Sequence, residues 1–208
     1  MLYKTNEIIA VILSGGLSRR MANQDKALLQ LNSKPLFEYV LDNITSQCET
    51  VIINSNREDN LFEHYQLPII KDSLDGFLGP LAGILTAMEW VKENSPQTLW
   101  IVSVPVDTPF LPNNLVSQLY QSTQENKSLL ACPVSNGRTH PVIGLWSIAL
   151  IDDLRTALKD EGLRKIDKWT ARYNISQQIF NYENIDPFFN INCDDDLVEA
   201  EKLLNKFV

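Results

Sequence analysis

Six consecutive apolar residues, Ile8 to Leu13, run straight into Ser14-Gly15-Gly16. A run this short and this apolar, closed by paired glycines, predicts a buried parallel strand ending in a tight loop. Further short apolar runs at 50–54, 67–70 and 98–104 predict three more strands. Between them the period changes. Leu36, Val40, Leu41 and Ile44 recur at helical spacing, and so do Leu81, Ile84, Leu85, Met88 and Val91. Ser33 and Pro35 are suited to start the first of these helices. Asn113 and Asn114 are placed to cap another that runs toward Glu125. Strands alternating with helices predict an α/β fold, a mostly parallel sheet with helices on both faces.

The second half departs from this rhythm. Apolar runs at 129–134 and 141–146 flank Ser135-Asn136-Gly137-Arg138-Thr139. Asn-Gly between two such runs predicts a hairpin or closely returning strand pair, which gives the sheet a mixed edge. Residues 197–204 form an amphipathic helix with Asp194, Asp195 and Asp196 at its start, where negative charge suits the helix dipole. No repeat, low-complexity tract or linker divides residues 1–208, so one domain is expected.

With 44% hydrophobic residues among 208, the chain can bury a sizeable core. Its net charge of −8 argues against a general nucleic-acid binder, whose affinity comes from basic residues on phosphates. Yet Arg19, Arg20, Lys26 and Lys34 share one short window with a single acid, Asp25. A local basic loop on an acidic chain suits a small anionic ligand, with a divalent cation to bridge charge. Cys48, Cys132 and Cys193 are odd in number and lack metal-ligand spacing, which reads as idle thiols in a reducing cytosol. His64 and His140 are too few for a histidine metal site. No secretory signal is read, and the run at 8–13 is too short to span a membrane, so a cytoplasmic protein is expected.

Ligands of open α/β sheets bind beyond the carboxyl ends of the strands, so the loops after strands hold the candidates. Gly15 and Gly16 allow close backbone approach to an anion, although the window lacks the common phosphate-loop spacings and a plain β-turn with a solvated basic loop fits equally. Asn54 ends the second run and Asp72 lies in the loop after the third. Asp107 closely follows a run apolar enough to be a central strand and stands before Thr108-Pro109; it is either a hard-metal ligand or a turn-forming Asx residue. Gly79-Pro80-Leu81-Ala82-Gly83 opens a helix, through close packing, contact with a ligand, or both. Arg138 and His140 follow the Asn-Gly turn, and Asn190 and Asn192 precede the last helix; each pair has a purely structural alternative, a solvated hairpin tip or a helix cap.

Taken in order, 13–16 with Arg20-Met21 and Asp25-Lys26, then 79–83, Asp107-Thr108-Pro109, Arg138-x-His140-Pro141 and Asn190-Ile191-Asn192, the motifs resemble the set of the molybdenum cofactor guanylyltransferases. The resemblance covers nearly the whole chain. It implies a Rossmann-like nucleotidyltransferase fold of glycosyltransferase-A type and an enzyme that joins GMP from GTP to molybdopterin or its molybdenum form, with Mg²⁺, releasing pyrophosphate. It further implies that Leu13, Ser14, Gly15, Gly16, Lys26, Asn54, Asp72 and Asp107 bind the nucleotide and that Asp107 holds Mg²⁺. Lys26 and Arg20 would offset the charge of the phosphates, and Arg138, His140, Asn190 and Asn192 would lie on the pterin side. Other proteins of cofactor biosynthesis or insertion are the implied contacts; oligomeric state is left open. The chain departs from the pattern at Ser14, where alanine is usual, at Ala22-Asn23, where two glycines are usual, and at Cys193-Asp194, where Thr-Pro is usual. Related cytidylyltransferases carry Ala-Ala-Gly and Asp-Gln-Pro instead, so Asp107-Thr108-Pro109 favours GTP. The alternatives are transfer from CTP or to a sugar phosphate, and a GTP-binding protein without catalysis on the same fold.

Overall fold

The fold is that of a computed structural model, which describes residues 8–15, 26–76 and 79–207. The elements run β1 (Ile8–Leu13), β2 (Gln30–Leu31), β3 (Lys34–Pro35), α1 (Leu36–Thr45), β4 (Val51–Asn54), β5 (Ile69–Ile70), α2 (Pro80–Asn94), β6 (Trp100–Pro105) and α3 (Leu115–Asn126). There follow β7 (Leu130–Ser135), β8 (Arg138–Thr139), β9 (Gly144–Ser147), α4 (Ile151–Lys159), α5 (Ile166–Thr170), β10 (Ser176–Ile179) and α6 (Asp194–Phe207). The main sheet has the order β10-β7-β9-β6-β1-β4-β5, with β8 paired to β7. Pairs β1–β4, β1–β6, β4–β5 and β7–β10 are parallel. This is the mostly parallel α/β sheet that the hydrophobic pattern predicts.

Side chains alternate across the sheet, and the two faces acquire separate cores. Ile8, Ala10 and Ile12 of β1 pack with Phe37, Val40 and Ile44 of α1 and Leu115, Val116 and Leu119 of α3. Ile9, Val11 and Leu13 point the other way, to Leu81, Ile84, Leu85 and Met88 of α2 and Leu154 and Leu158 of α4. The period of two along β1 thus explains why both faces need helices. The first half of α2 is buried all round, because it lies between the sheet and α4. No helix among the described residues is long and apolar enough to cross a membrane.

Several expectations change in detail. An antiparallel strand, β9, lies inside the sheet between β6 and β7, and the outer strand β10 is parallel to β7. The reversal is buried there because Trp146 of β9 donates its indole N–H to Ser103 of β6 at 2.8 Å, and Ser103 in turn donates to the carbonyl of Val142 at 2.7 Å. Asn136-Gly137 does form the turn, both with positive φ, but only Arg138 and Thr139 return along β7 before the chain leaves and comes back as β9. Ser33 does not start α1. Asn32 and Ser33 both have positive φ and form the two-residue turn between β2 and β3, while Pro35 takes the N-cap position. Asn114 stands at the N-cap of α3 without a side-chain bond; the Gln47 side chain accepts the Val116 N–H instead, at 3.0 Å.

Gly83 marks the tightest contact between α2 and the sheet. A Cβ there would stand 2.2 Å from Oδ1 of Asn54 and 2.9 Å from Cδ2 of Leu13. Gly83→Ala is therefore expected to cost about 1–3 kcal/mol, the range for overpacking a dense core, seen as a fall in Tm of roughly 2–4 °C per kcal/mol for a chain of this size. Thermal unfolding checks this; an unchanged Tm would contradict the close approach.

Candidate active site

The backbone pairing of β1 brings three loops together. Ser14 donates its N–H to the carbonyl of Asn54 at 2.9 Å, and Val106 donates to the carbonyl of Leu13 at 3.1 Å. The chain segments that leave β1, β4 and β6 therefore emerge side by side at the carboxyl end of the sheet. Gly16 and Arg20 fall outside the described residues. At Gly15 a Cβ would meet only Oδ1 of Asn54, at 3.8 Å, so its described neighbours leave space beside it.

Asn54, 3% exposed, sits at the end of β4 under the missing side chain of Gly83. It donates to Oδ1 of Asp72 at 2.9 Å. Asn56 donates to Oδ2 of the same carboxylate at 2.8 Å and accepts the Asp72 N–H at 2.8 Å. Two separate sequence candidates, Asn54 and Asp72, are thus brought together, with Asn56 as a third member.

Lys26 and Asp107 meet across the carboxyl end of β6. The Lys26 ammonium lies 2.8 Å from Oδ2 of Asp107 and donates to Oδ1 of Asn192 at 2.7 Å. Three distant segments converge here for identifiable reasons. Ile191 donates its N–H to the carbonyl of Asp107 at 2.9 Å, which docks the 190–192 segment against the loop after β6. The Ile191 side chain, fully buried, packs with Leu29, Leu31, Leu36 and Ala200 in a small third core that also takes Leu197 and Leu204 of α6. Asp196, in the first turn of α6, accepts the N–H groups of Asn192 at 2.7 Å and Cys193 at 3.0 Å. Burial would raise the Asp196 pKa, but these N–H groups, the Cys193 thiol and the nearby Lys26 charge outweigh it and hold it below the ordinary value. Asn192 therefore does not cap α6 with its side chain; the helix start is secured by Asp196 reaching back.

Two polar atoms here are buried without a hydrogen-bond partner among the described residues: Oγ of Ser14 and Oδ1 of Asp107. A buried carboxylate oxygen left unpaired is costly unless something binds it. Among the described residues no group of three His, Cys, Asp or Glu could hold a metal. A lone carboxylate suits Mg²⁺, which keeps few protein ligands when substrate phosphates supply the rest.

Beside Asp107 opens a cleft of about 550 Å³. Its lining includes all four residues expected on the acceptor side, Arg138, His140, Asn190 and Asn192, together with Pro105 and Thr108 at the Asp107 end. It also includes Ser135 and Asp186. Ser135 donates to Oδ1 of Asp186 at 2.8 Å, and Nε2 of His140 lies 2.8 Å from the same hydroxyl. A hydroxyl has one proton to give, so His140 must be the donor at Nε2. Burial lowers the His140 pKa; the Asp186 charge raises it, Arg138 lowers it, and the net shift is downward. Asp186 was not a candidate from sequence, though Asp-Pro before Asn190 is a turn signal, and Asp186 does accept the Phe188 N–H at 3.0 Å. All three cysteines are unpaired, and burial raises the Cys48 and Cys132 thiols to about 12 and about 11, which leaves them unreactive thiols at neutral pH.

A loop cluster at the carboxyl end of the parallel strands, beside an open cleft, is where α/β sheets bind ligands, and residues 10–175 match the MobA-like NTP transferase domain family. A curated relative, the molybdenum cofactor guanylyltransferase of Rhodopseudomonas palustris (strain HaA2), is 44% identical over 93% of this chain and 91% of its own length. That of Nitrobacter hamburgensis is 42% identical over 93% of this chain and 92% of its own. Molybdopterin-guanine dinucleotide biosynthesis protein A from Archaeoglobus fulgidus superposes with a TM-score of 0.77 at 27% identity, over 96% of this chain and all of that one. The chain belongs to the molybdenum cofactor guanylyltransferase family.

The cleft gives a pH prediction. A histidine with a lowered pKa stays neutral to lower pH than a free one, so the imidazole signals of His140 should titrate with a midpoint below about 6.5. Removing the Asp186 charge removes a raising influence, so Asp186→Asn should move that midpoint lower still. Proton NMR of the imidazole checks both; a midpoint above 6.5 would contradict the burial argument.

Proposed function

We propose that this protein transfers GMP from GTP to the terminal phosphate of molybdopterin, forming the guanine dinucleotide and releasing pyrophosphate. The observation that carries this reading is the Lys26 ammonium held between Asp107 and Asn192, where the loop cluster after β1, β4 and β6 meets the cleft. Leu13, Ser14 and Gly15, with Gly16 beyond, take the phosphates and ribose of GTP; Asn54 and Asp72 read the base. Arg138, His140, Asn190 and Asn192 take the acceptor.

In the reaction an oxygen of the acceptor phosphate attacks the α-phosphorus of GTP, and the bond from that phosphorus to the bridging oxygen of pyrophosphate breaks. A phosphate monoester is already largely dianionic near neutral pH, so no general base is required. The difficulty is to bring two anions together. Lys26, with Arg20, compensates the charge gathering on the departing pyrophosphate. Asp107 would hold a Mg²⁺, which its unpaired buried oxygen fits. When bound, that cation offsets the negative charge of the triphosphate and of the leaving group. Guanine offers N1–H and N2–H₂ as donors, and the Asp72 carboxylate is an acceptor that adenine cannot satisfy.

Pyrophosphate release from each nucleoside triphosphate, with molybdopterin as acceptor, tests the reading. GTP should support turnover far better than CTP or ATP, since a wrong base leaves buried polar groups unpaired at about 1–3 kcal/mol each. Equal turnover with CTP would overturn it. Asp107→Asn should lower turnover by several orders of magnitude while circular dichroism stays native. Lys26→Ala should lower kcat about a hundredfold, the scale of one well-placed electrostatic donor, and affect GTP binding less, because only contacts made in the transition state raise kcat. A change confined to the Kd of GTP would make Lys26 a ground-state anchor. Lys26→Arg should not restore full rate, since a planar guanidinium does not replace a compact ammonium in a confined site.

A further inference from the structure

Asn56 belongs to none of the motifs above, yet it makes a closed pair of hydrogen bonds with Asp72. Its amide N–H₂ donates to Oδ2 at 2.8 Å, and its carbonyl oxygen accepts the Asp72 backbone N–H, also at 2.8 Å. Asn54 donates to the other carboxylate oxygen at 2.9 Å. One amide thus sits on each oxygen. Asn54 is itself fixed, buried at the end of β4 with the backbone of α2 at Gly83 against it. Asn56 is exposed and free of that packing, so its two bonds to Asp72 are what it contributes here.

We propose that Asn56 is a positioning residue for base selection: clamped between Asn54 and Asn56, the Asp72 carboxylate is held in the one orientation that presents an acceptor from each oxygen to the N1–H and N2–H₂ edge of guanine. The proposal rests on the reading of Asp72 as the group that recognises the base. An ionised carboxylate has about four acceptor sites. The two amides use one on each oxygen and leave one on each, side by side, which matches the paired donors of guanine. Without Asn56 the carboxylate keeps a single side-chain tether among the described residues and can rotate about its last bond, so the second acceptor is no longer aligned. Rotation also costs the entropy of ordering the group again each time the base binds.

Equilibrium binding of GTP and of ITP to the full-length protein with Mg²⁺ tests this, since ITP lacks only the exocyclic amine. The wild type should prefer GTP over ITP. Asn56→Ala should reduce that preference about tenfold, the loss of one hydrogen bond to a charged group. Asn56→Asp keeps an acceptor for the Asp72 N–H but removes the donor and sets a second negative charge beside Asp72. It should reduce the preference at least as far. If Asn56 merely secures the chain after β5, Asn56→Asp should behave as wild type, and Asn56→Ala should lower Tm and weaken both nucleotides alike with the GTP-to-ITP ratio intact; either result overturns the proposal. A wild-type protein with no preference among GTP, ITP and ATP would instead overturn the reading of Asp72 as the base-recognising group.

Discussion

All six residues of β1 are buried, and none of its backbone N–H or C=O groups can turn to water. They have to be taken up along both edges, which β4 and β6 do in parallel register. That one constraint arranges the rest. Parallel neighbours put their carboxyl ends at the same end of the sheet, so Ser14, Asn54 and Asp107 come close although long stretches of chain separate them. Side chains on both faces require helices on both faces, and α2, entering at Pro80, brings its second turn so near the end of β4 that only glycine fits at position 83. The packing of the scaffold and the shape of the loop cluster at the carboxyl end of the sheet are therefore one problem with one solution.

At the centre the energetics run against stability. The Lys26 and Asp107 side chains are only 21% and 14% exposed. Taking two charges that far out of water costs free energy that their mutual attraction returns only in part, and apolar residues would often serve a fold better. The second oxygen of Asp107 is buried with no partner among the described residues. A group kept in that condition is usually explained by what binds to it. Here the expense is incurred where polyphosphate, cation and acceptor phosphate are expected to meet.

The third, smallest core explains how the last segment takes part. Ile191 lies between Asn190 and Asn192 and points into a cluster with Leu29, Leu31 and Leu36. Because side chains alternate along an extended stretch, anchoring Ile191 turns its two neighbours away from the core. The same cluster supports the segment that follows Lys26, so both partners of the Lys26–Asn192 bond rest on one patch of apolar packing. α6 serves the site through this patch and through Asp196, whose carboxylate collects the N–H groups of Asn192 and Cys193. The unusual Cys193-Asp194 takes part in that arrangement, since Cys193 gives Asp196 both its backbone N–H and its thiol.

Much of the scaffold was legible from periodicity. The strands at Ile8–Leu13, Val51–Asn54 and Trp100–Pro105, and helices α1 and α2, follow from apolar spacing that a local window contains, and α3 from the asparagines at its start. The four cleft residues stand in the ordered motifs, and Asn54 and Asp72 were named through the resemblance those motifs carry, but not their contact with each other. α4, α5 and β10 were not foreseen: α5 has five residues and β10 four, with polar Ser176, Gln177 and Gln178, and their burial depends on neighbours far along the chain. The pairing of β9 between β6 and β7, the reach of Asn56 to Asp72, and the Asp186–Ser135–His140 chain likewise involve partners that no local pattern names. The sequence by itself determined which segments are strands and helices and which residue types stand at their ends, because backbone geometry and hydrophobic period are local. Only the tertiary structure decided which of those residues touch, because an ion pair, a clamp or an unpaired oxygen exists only once distant segments have been packed against each other.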